Sequence, residues 1–538
     1  VSYDQGGTWE YLNTIPSAQF YAVAADLRKP YYVYGGLQDN GTWGVPSRTR
    51  HPDGITNADW FQIVYGDGFY VQIDPTDYAT VYGESQDGKL VRLDLSNGLT
   101  VNIRPLGNPS GRGSPMQRSA QSIPKDEPTS ATSAARLAMA ERQLVGAQTV
   151  EAAQLPRSVP GTLNAPGATN VIPPPAAGED YRFNWNTPLA ISPHNPRILY
   201  AGGNRLFKSL NRGDTWSASA DLTKHIDRST LPIMGVSGRE PMLSKNDGVY
   251  SYGAVVTLAE SPKVPGVVWV GTDDGNVQVS RDGGATWTNV SINVPGIGDK
   301  YHISRVEPSH FDGATCYLAV DGHRFDDPKP YAFVTRDYGA TWLPIANNLP
   351  PVGNVNVIRE DPVNKELLYV GTEYGLFVSL SGGSQWQRFM SGMPTTRADD
   401  ILIHPRDNDL IVGTHGRGIF ILDDVTPLQQ LSIKVADSDA YLFEVRPATL
   451  WLRDMRLNRA PMGARTFRGA NPPEGTAISY YLKSSPAGDV KIEISDYRGR
   501  TVSTITGTKN SGINRIQWNM RGNPPPPPTT FSGVRTMS

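Results

Sequence analysis

The sequence predicts an all-β fold: a β-propeller of about seven blades followed by a small β-sandwich. Three observations predict it. An eight-residue phrase, Ser/Thr-x-Asp-x-Gly-x-Thr-Trp, recurs at Ser2–Trp9, Ser280–Trp287 and Thr335–Trp342. A fourth copy, Ser209–Trp216, has Asn211 in the Asp place, and a fifth, Ser379–Trp386, is eroded. Secondly, the later copies follow pairs of short β-rich runs, such as Val267–Thr272 and Val277–Ser280 ahead of Trp287. Thirdly, 54 Gly, 44 Pro and only 19% charged residues suit many turns between short strands.

Each residue type in the phrase has a local physical role. Asp4, Asn211, Asp282 and Asp337 carry short side chains that accept hydrogen bonds from backbone N–H groups a few residues on, closing a turn. The Gly supplies a positive-φ position that costs an ordinary residue about 1–2 kcal/mol. Trp9, Trp216, Trp287, Trp342 and Trp386 each offer roughly 150–250 Å² for burial, worth a few kcal/mol per copy at about 25 cal/mol per Å². All of these roles are structural, so no Asp of the phrase is nominated for catalysis. The phrase resembles the Asp-box, or bacterial neuraminidase repeat, of sialidases, sortilin-type receptors and xyloglucan-degrading two-propeller glycosidases. That resemblance implies a β-propeller and says little about activity.

In chain order, residues 1–16 read as the tail of a blade, and seven blade-like units follow. The first runs from Phe20 to a degenerate box ending at Trp43, and the second from Gly66 to Leu93. Four boxed units end at Trp216, Trp287, Trp342 and Trp386, in steps of 71, 55 and 44 residues. Those steps fit about 40–45 residues per four-stranded blade plus loop insertions. The last unit, Asp400–Leu422, has no box, so the orphan box at Ser2–Trp9 is its expected partner in closing the ring. A box with no strands before it also implies a piece of a longer protein, part of whose function lies upstream. Residues 105–180 form a Pro/Ala/Ser-rich insertion with a short helix at Ala134–Val145. Residues 431–470 read as a connector, 471–522 as a β-sandwich and 523–538 as a polyproline tail.

The stretch from Gly35–Gly41 to His415–Gly418 resembles a bacterial family of large, secreted, sortilin-like propeller proteins often labelled glycosyl hydrolases. Ile494–Val502 and Gly512–Asn519 resemble the Ig-like modules that end many secreted bacterial proteins. These resemblances imply a secreted, periplasmic or cell-surface location. Composition adds exclusions. A net charge of −2 gives no sign of nucleic-acid binding, and no run of 18 apolar residues spans a membrane. The single cysteine, Cys316, forms no internal disulfide and reads as a buried core thiol. No His/Cys spacing suits zinc, no Asp run forms a calcium loop, and neither a phosphate-binding Gly loop nor a nucleophile elbow is present, so no cofactor or metal is expected. His194, His404 and His415 read as turn residues.

Polar residues just before the first strand of each blade face the rim of a shared channel. They are Asp67; Asn184 and Asn186; Tyr250 and Tyr252; His302, Ser304 and Arg305; Asn354 and Asn356; and Arg397, Asp399 and Asp400. Two readings stand: turn capping between blades, or a ligand funnel built from Asn186, Tyr252, His302, Arg305, Asn356 and Arg397. In the second, Arg305 and Arg397 act as carboxylate or phosphate clamps. A sialidase needs three convergent arginines and a Tyr–Glu pair; Arg305, Arg359 and Arg397 supply the number, but Arg359 lies in a strand and Tyr250/Glu260 gives no pair. In the two-propeller glycosidases, the resemblance implies one carboxylate on each propeller as acid and base. Asp67, Asp247 and Asp400 are the candidates, with Trp43, Trp60, Trp185 and Tyr252 for sugar stacking. The expected function is a non-catalytic binding or scaffolding propeller for a protein or glycan ligand. The alternative is a glycoside hydrolase in which this propeller forms half of a cleft with an upstream propeller of the same protein.

Overall fold

The computed structural model describes residues 2–10, 17–107, 171–172, 180–232, 235–242, 251–454 and 467–523. The expected helix at 134–145, the polyproline run, Asp247 and Tyr250 lie outside them.

The described chain is all-β, and its sheets follow one another along the sequence. The first sheet contains Phe20–Ala25, Tyr32–Leu37, Gly41–Pro46 and Phe61–Val64, and the second Gly68–Ile73, Thr80–Ser85, Lys89–Asp94 and Leu99–Asn102. The third is built from Leu189–Ile191, Leu199–Gly202, Arg205–Ser209 and Ser217–Asp221. The fourth contains Val255–Glu260, Val268–Thr272, Val277–Ser280 and Thr288–Asn289. The fifth contains His302–Pro308, Cys316–Gly322, Asp327–Thr335 and Leu343–Pro344, and the sixth Val355–Glu360, Leu368–Thr372, Gly375–Ser379 and Gln387–Arg388. The seventh has three strands: Ala398–Ile403, Leu410–Thr414 and Ile419–Leu422. Within each sheet, neighbours are antiparallel and follow one another along the chain, with the short strand Ile55–Thr56 intervening only between Gly41–Pro46 and Phe61–Val64. The first strand of each sheet packs on that of the next, and Phe20–Ala25 packs on Ala398–Ile403, so the series returns on itself as in a propeller.

Apolar alternation explains the packing. Seven buried clusters occur, one between each pair of neighbouring sheets. The cluster between the seventh and first sheets holds five buried residues, Val23, Tyr31, Val33, Val45 and Ile411, against seven to thirteen in the others. Close approach of the first two sheets requires glycine: a Cβ on Gly36 meets the Phe69 carbonyl oxygen at 2.2 Å, and one on Gly68 meets Thr42 Oγ1 at 2.3 Å.

The octapeptide closes the turn before the outermost strand. Asp282 Oδ1 accepts from Thr286 N at 2.8 Å, and Ser280 Oγ accepts from Gly284 N at 2.8 Å. Asp337 repeats this with Thr341 N at 2.9 Å, and Asn211 with Thr215 N at 2.9 Å. These donors, the Thr286 hydroxyl first, hold the Asp282 carboxyl down at about 2. Trp216, Trp342 and Trp386 are buried and Trp287 is half-buried, whereas Trp9 is 76% exposed. The Ser2–Trp9 copy makes its own turn, with Asp4 Oδ1 accepting from Thr8 N at 2.8 Å.

Beyond the seventh sheet lie two short helices, Thr426–Gln430 and Ile433–Asp437. A three-stranded sheet then pairs Thr476–Leu482 with both Ala440–Leu442 and Gly512–Trp518, and Lys491–Ser495 forms a hairpin with Thr501–Thr506. Ala440–Leu442 belongs to the C-terminal sheet, and Arg468–Gly469 pairs with Ile55–Thr56 of the first unit. Cys316 is fully buried at the start of its strand.

Candidate functional site at the channel mouth

Because successive strands are antiparallel, the segment before each first strand and the turn between the second and third strands fall at the same end of each sheet. Around the ring these segments form one mouth. On one side, Asp67 Oδ1 accepts from Asp39 N at 2.6 Å and from Gln38 Nε2 at 3.1 Å, and Gln38 Oε1 accepts from the Tyr21 hydroxyl. Next to them, Arg397 donates to Asp399 at 2.6 Å and to Glu373 at 3.1 Å, and His415 Nδ1 lies 3.4 Å from Asp399 Oδ2. Opposite, Asp273 accepts from Gly253 N at 3.0 Å, Ala254 N at 2.8 Å and Asn184 Nδ2 at 2.9 Å. His323 Nδ1 contacts Asp321 at 2.7 Å.

Burial dominates the electrostatics here. It raises the Asp273 carboxyl to about 7, outweighing its hydrogen bonds, with neighbouring Asp274 adding to the rise. It holds the His302 imidazole down at about 4, helped by the charge of Arg324. Burial, then the Asp67 charge, pushes the Tyr21 phenol up to about 12. Burial also raises Asp67 and Tyr252. Three buried polar atoms at this mouth make no hydrogen bond: Asn186 Oδ1, the Tyr252 hydroxyl and His302 Nδ1. Asp399 Oδ2 likewise accepts none. Such atoms cost about 1–3 kcal/mol each unless something satisfies them. Aromatic surfaces stand beside them: Tyr21 on Phe69 at 4.5 Å, Phe69 edge-on to Trp185 at 6.2 Å, and Tyr301 stacked on Phe325 at 5.6 Å.

The remaining sequence candidates lie elsewhere, and three expectations are corrected. Asp400 is 3% exposed, and its carboxylate is committed to Arg305 Nη2 at 3.0 Å, Arg359 Nη2 at 2.9 Å and Val23 N at 3.0 Å. Arg359 also binds Glu307 at 2.5 Å. Asp400 and Arg305 therefore form a charged bridge below the mouth, neither a cleft-facing acid nor a ligand clamp. Asn356 is buried, accepting from Asn354 Nδ2 at 3.0 Å and donating to the Ala398 carbonyl at 3.2 Å, so it links sheets instead of facing a funnel. The reason is a register shift near the head of these strands, at Ile303/Arg305, Val355/Val357 and Ala398/Asp400, which re-aims the residues after it. Asp273, Asp321 and Arg324 were missed. They sit at or beside turns between second and third strands, and the polar run Asp273–Asp274–Gly275 was the available signal.

Trp43 and Trp60 do not face the mouth. With Trp451 they line a cavity of about 900 Å³ between the first sheet, the Ile419–Leu422 edge and residues from 446–451 and 467–475. Among the described residues, no group of three or more His, Cys, Asp or Glu is placed to hold a metal ion. No described helix is long and apolar enough to cross a membrane.

No known family model matches the chain. Over 173 residues it is 30% identical to the oligoxyloglucan-reducing end-specific xyloglucanase of Emericella nidulans, a match covering 31% of this chain and 18% of that enzyme. Among solved structures it is similar to the GH74 xyloglucanase of Xanthomonas campestris, at 14% identity and a TM-score of 0.45, over 79% of this chain and 54% of that one. It is also similar to a GH74 enzyme of Niastella koreensis, at 16% identity and a TM-score of 0.42, over 77% and 53%. The chain thus spans about half the length of these solved enzymes.

Proposed function

We propose that this chain is the glycan-binding propeller of a glycoside hydrolase, forming half of a polysaccharide cleft whose other half is a second propeller of the same protein. The observation that carries this reading is the set of unsatisfied buried polar atoms on Asn186, Tyr252 and His302, beside aromatic rings at one mouth. Sugar hydroxyls both donate and accept, and the apolar faces of the ring stack on aromatics, so a glycan meets both needs. The local match to a xyloglucanase supports a xyloglucan-like β-glucan as substrate. It favours the hydrolase over the non-catalytic scaffold that the sequence put first. In this reading Asp399 is the carboxylate this propeller supplies, with Arg397 bound to Oδ1 and His415 Nδ1 3.4 Å from Oδ2; Asp67 is the second candidate.

The finer features belong to the same proposal: seven blades closed as a ring, Asp-box turns, and a secreted, periplasmic or cell-surface location. So does the division into a propeller (1–430), a connector, an Ig-like module over 471–522 joined by Ala440–Leu442, and a tail.

Calorimetry with xyloglucan oligosaccharides tests the binding site. Asn186→Ala and Tyr252→Phe are each expected to weaken affinity by about tenfold, the size of one lost hydrogen bond. Asp399→Asn in the full-length enzyme is expected to abolish cleavage while binding persists. Unchanged affinity in both binding variants overturns the site; cleavage that persists after replacement of both Asp399 and Asp67 removes this propeller from the catalytic pair and leaves it a binding module.

A further inference from the structure

We propose that Arg324, with Arg228 beside it, forms an anion subsite at the channel mouth that takes the carboxylate of a uronic acid on the glycan. The subsite rests on the glycan-binding role of that mouth and narrows its ligand from a neutral sugar to an acidic one. Arg324 lies in the turn His323–Phe325, between the second and third strands of the fifth sheet. It is exposed, and among the described residues it makes no ion pair or hydrogen bond.

The turn is pinned on both sides of Arg324. Before it, Asp321 Oδ1 accepts from His323 N at 2.9 Å and contacts His323 Nδ1 at 2.7 Å. After it, the Phe325 ring stacks on Tyr301 at 5.6 Å. Asp327 Oδ2 then accepts from the Tyr301 hydroxyl at 2.9 Å and the Tyr331 hydroxyl at 2.7 Å. An arginine presented by a fixed turn keeps its planar fork of donors for an incoming acceptor.

Four groups from neighbouring segments surround it. His302 stands opposite Asp321 in the ladder of the fifth sheet, and Tyr252 and Asp273 come from the mouth end of the fourth. Arg228, half-buried, opens the short helix Arg228–Thr230 in the connection between the third and fourth sheets. Burial is the larger influence on all four. The Arg324 charge adds to the fall of His302 and Arg228 and opposes the rise of Tyr252 and Asp273. Two of these groups present buried atoms that make no hydrogen bond, the Tyr252 hydroxyl and His302 Nδ1.

Charge decides the class of ligand. The carboxylates acting on these groups are already engaged: Asp321 by His323, Asp274 by Lys224 N at 2.7 Å, and Asp273 by Gly253 N, Ala254 N and Asn184. The repulsion between Arg228 and Arg324 remains, and an added anion relieves it where a neutral hydroxyl does not. A carboxylate fits best. An arginine fork donates to both of its oxygens at once, and the Tyr252 hydroxyl supplies a further donor beside them.

Calorimetry with three forms of one xyloglucan oligosaccharide tests this. They are the parent, the form whose terminal side-chain galactose is oxidised at C6 to a carboxylate, and the form sulfated on that C6 hydroxyl. The oxidised form is expected to bind at least about tenfold more tightly than the parent at low salt, and to lose most of that gain in about 1 M NaCl. Arg324→Gln is expected to bring the ratio of the two affinities to about one. Arg324→Lys, which keeps the charge without the fork, is expected to give an intermediate ratio. Parent binding with no gain from the carboxylate overturns the subsite and leaves the glycan-binding role standing, whereas binding of neither sugar overturns both. A gain that survives both Arg324→Gln and Arg228→Gln also overturns the subsite. Tighter binding of the sulfated form than of the oxidised one overturns the carboxylate assignment.

Discussion

Trp342 shows how much one residue of the repeated phrase contributes. It is 4% exposed and meets Trp269 edge-on at 6.0 Å. Trp342→Ala is expected to cost about 3–5 kcal/mol in urea denaturation, whereas Ile292→Ala, at a side chain 91% exposed, stays within about 0.5 kcal/mol. At the mouth, His302 and Asp273 give opposite pH dependences. His302 remains neutral down to about pH 4, while a histidine in the unfolded chain protonates near about 6.5, so its stability is present above that value and lost as pH falls. Asp273 keeps its proton up to about pH 7, while an unfolded aspartate ionises near about 3.9, so its stability is present below that value and lost as pH rises toward 7. Denaturation at pH 4.5 and pH 8 separates them. The cost of His302→Gln is expected to be smaller at pH 4.5, and the cost of Asp273→Asn smaller at pH 8.

At the scale of the element, the sheets pack so closely that some strand positions accept only glycine. Gly36 lies where a Cβ meets the Phe69 carbonyl oxygen at 2.2 Å and its nitrogen at 2.3 Å, both backbone atoms with no freedom to rotate away. Gly36→Ala is therefore expected to cost about 1–3 kcal/mol and to lower the melting temperature, while Gly488→Ala, with nothing within 4 Å, leaves it nearly unchanged. The strands themselves were legible in the sequence, because β-rich runs between polar turns leave few alternatives. Val268–Thr272 and Val277–Ser280 fall where Val267–Thr272 and Val277–Ser280 were read. The share of Ala440–Leu442 in the C-terminal sheet was not legible: three residues carry no periodicity, and only pairing with Thr476–Leu482 makes them a strand.

Across the whole molecule, the ring is tied near its axis by charge. Asp400 binds Arg305 of the fifth sheet, Arg359 of the sixth and the backbone of Val23 in the first. Asp400→Asn leaves the buried Arg305 guanidinium without its counter-charge, while Arg359 keeps Glu307, and is expected to cost about 3 kcal/mol, read by urea denaturation. Glycan affinity of the folded variant is expected to stay at the wild-type value, which separates this residue from Asp399 at the mouth. The sequence by itself determined the repeat, the β-class and the turn chemistry, because a hydrogen bond donated by Thr286 N to Asp282 Oδ1 needs only neighbours four residues apart. Tertiary structure alone decided which polar residues face the mouth and which face the axis. Asp399 and Asp400 are adjacent in sequence, yet a register shift at Ala398/Asp400 sends one to the rim and the other into an ion pair with a residue 95 positions away. A strand's alternation is local, but where that alternation breaks depends on the sheets packed against it.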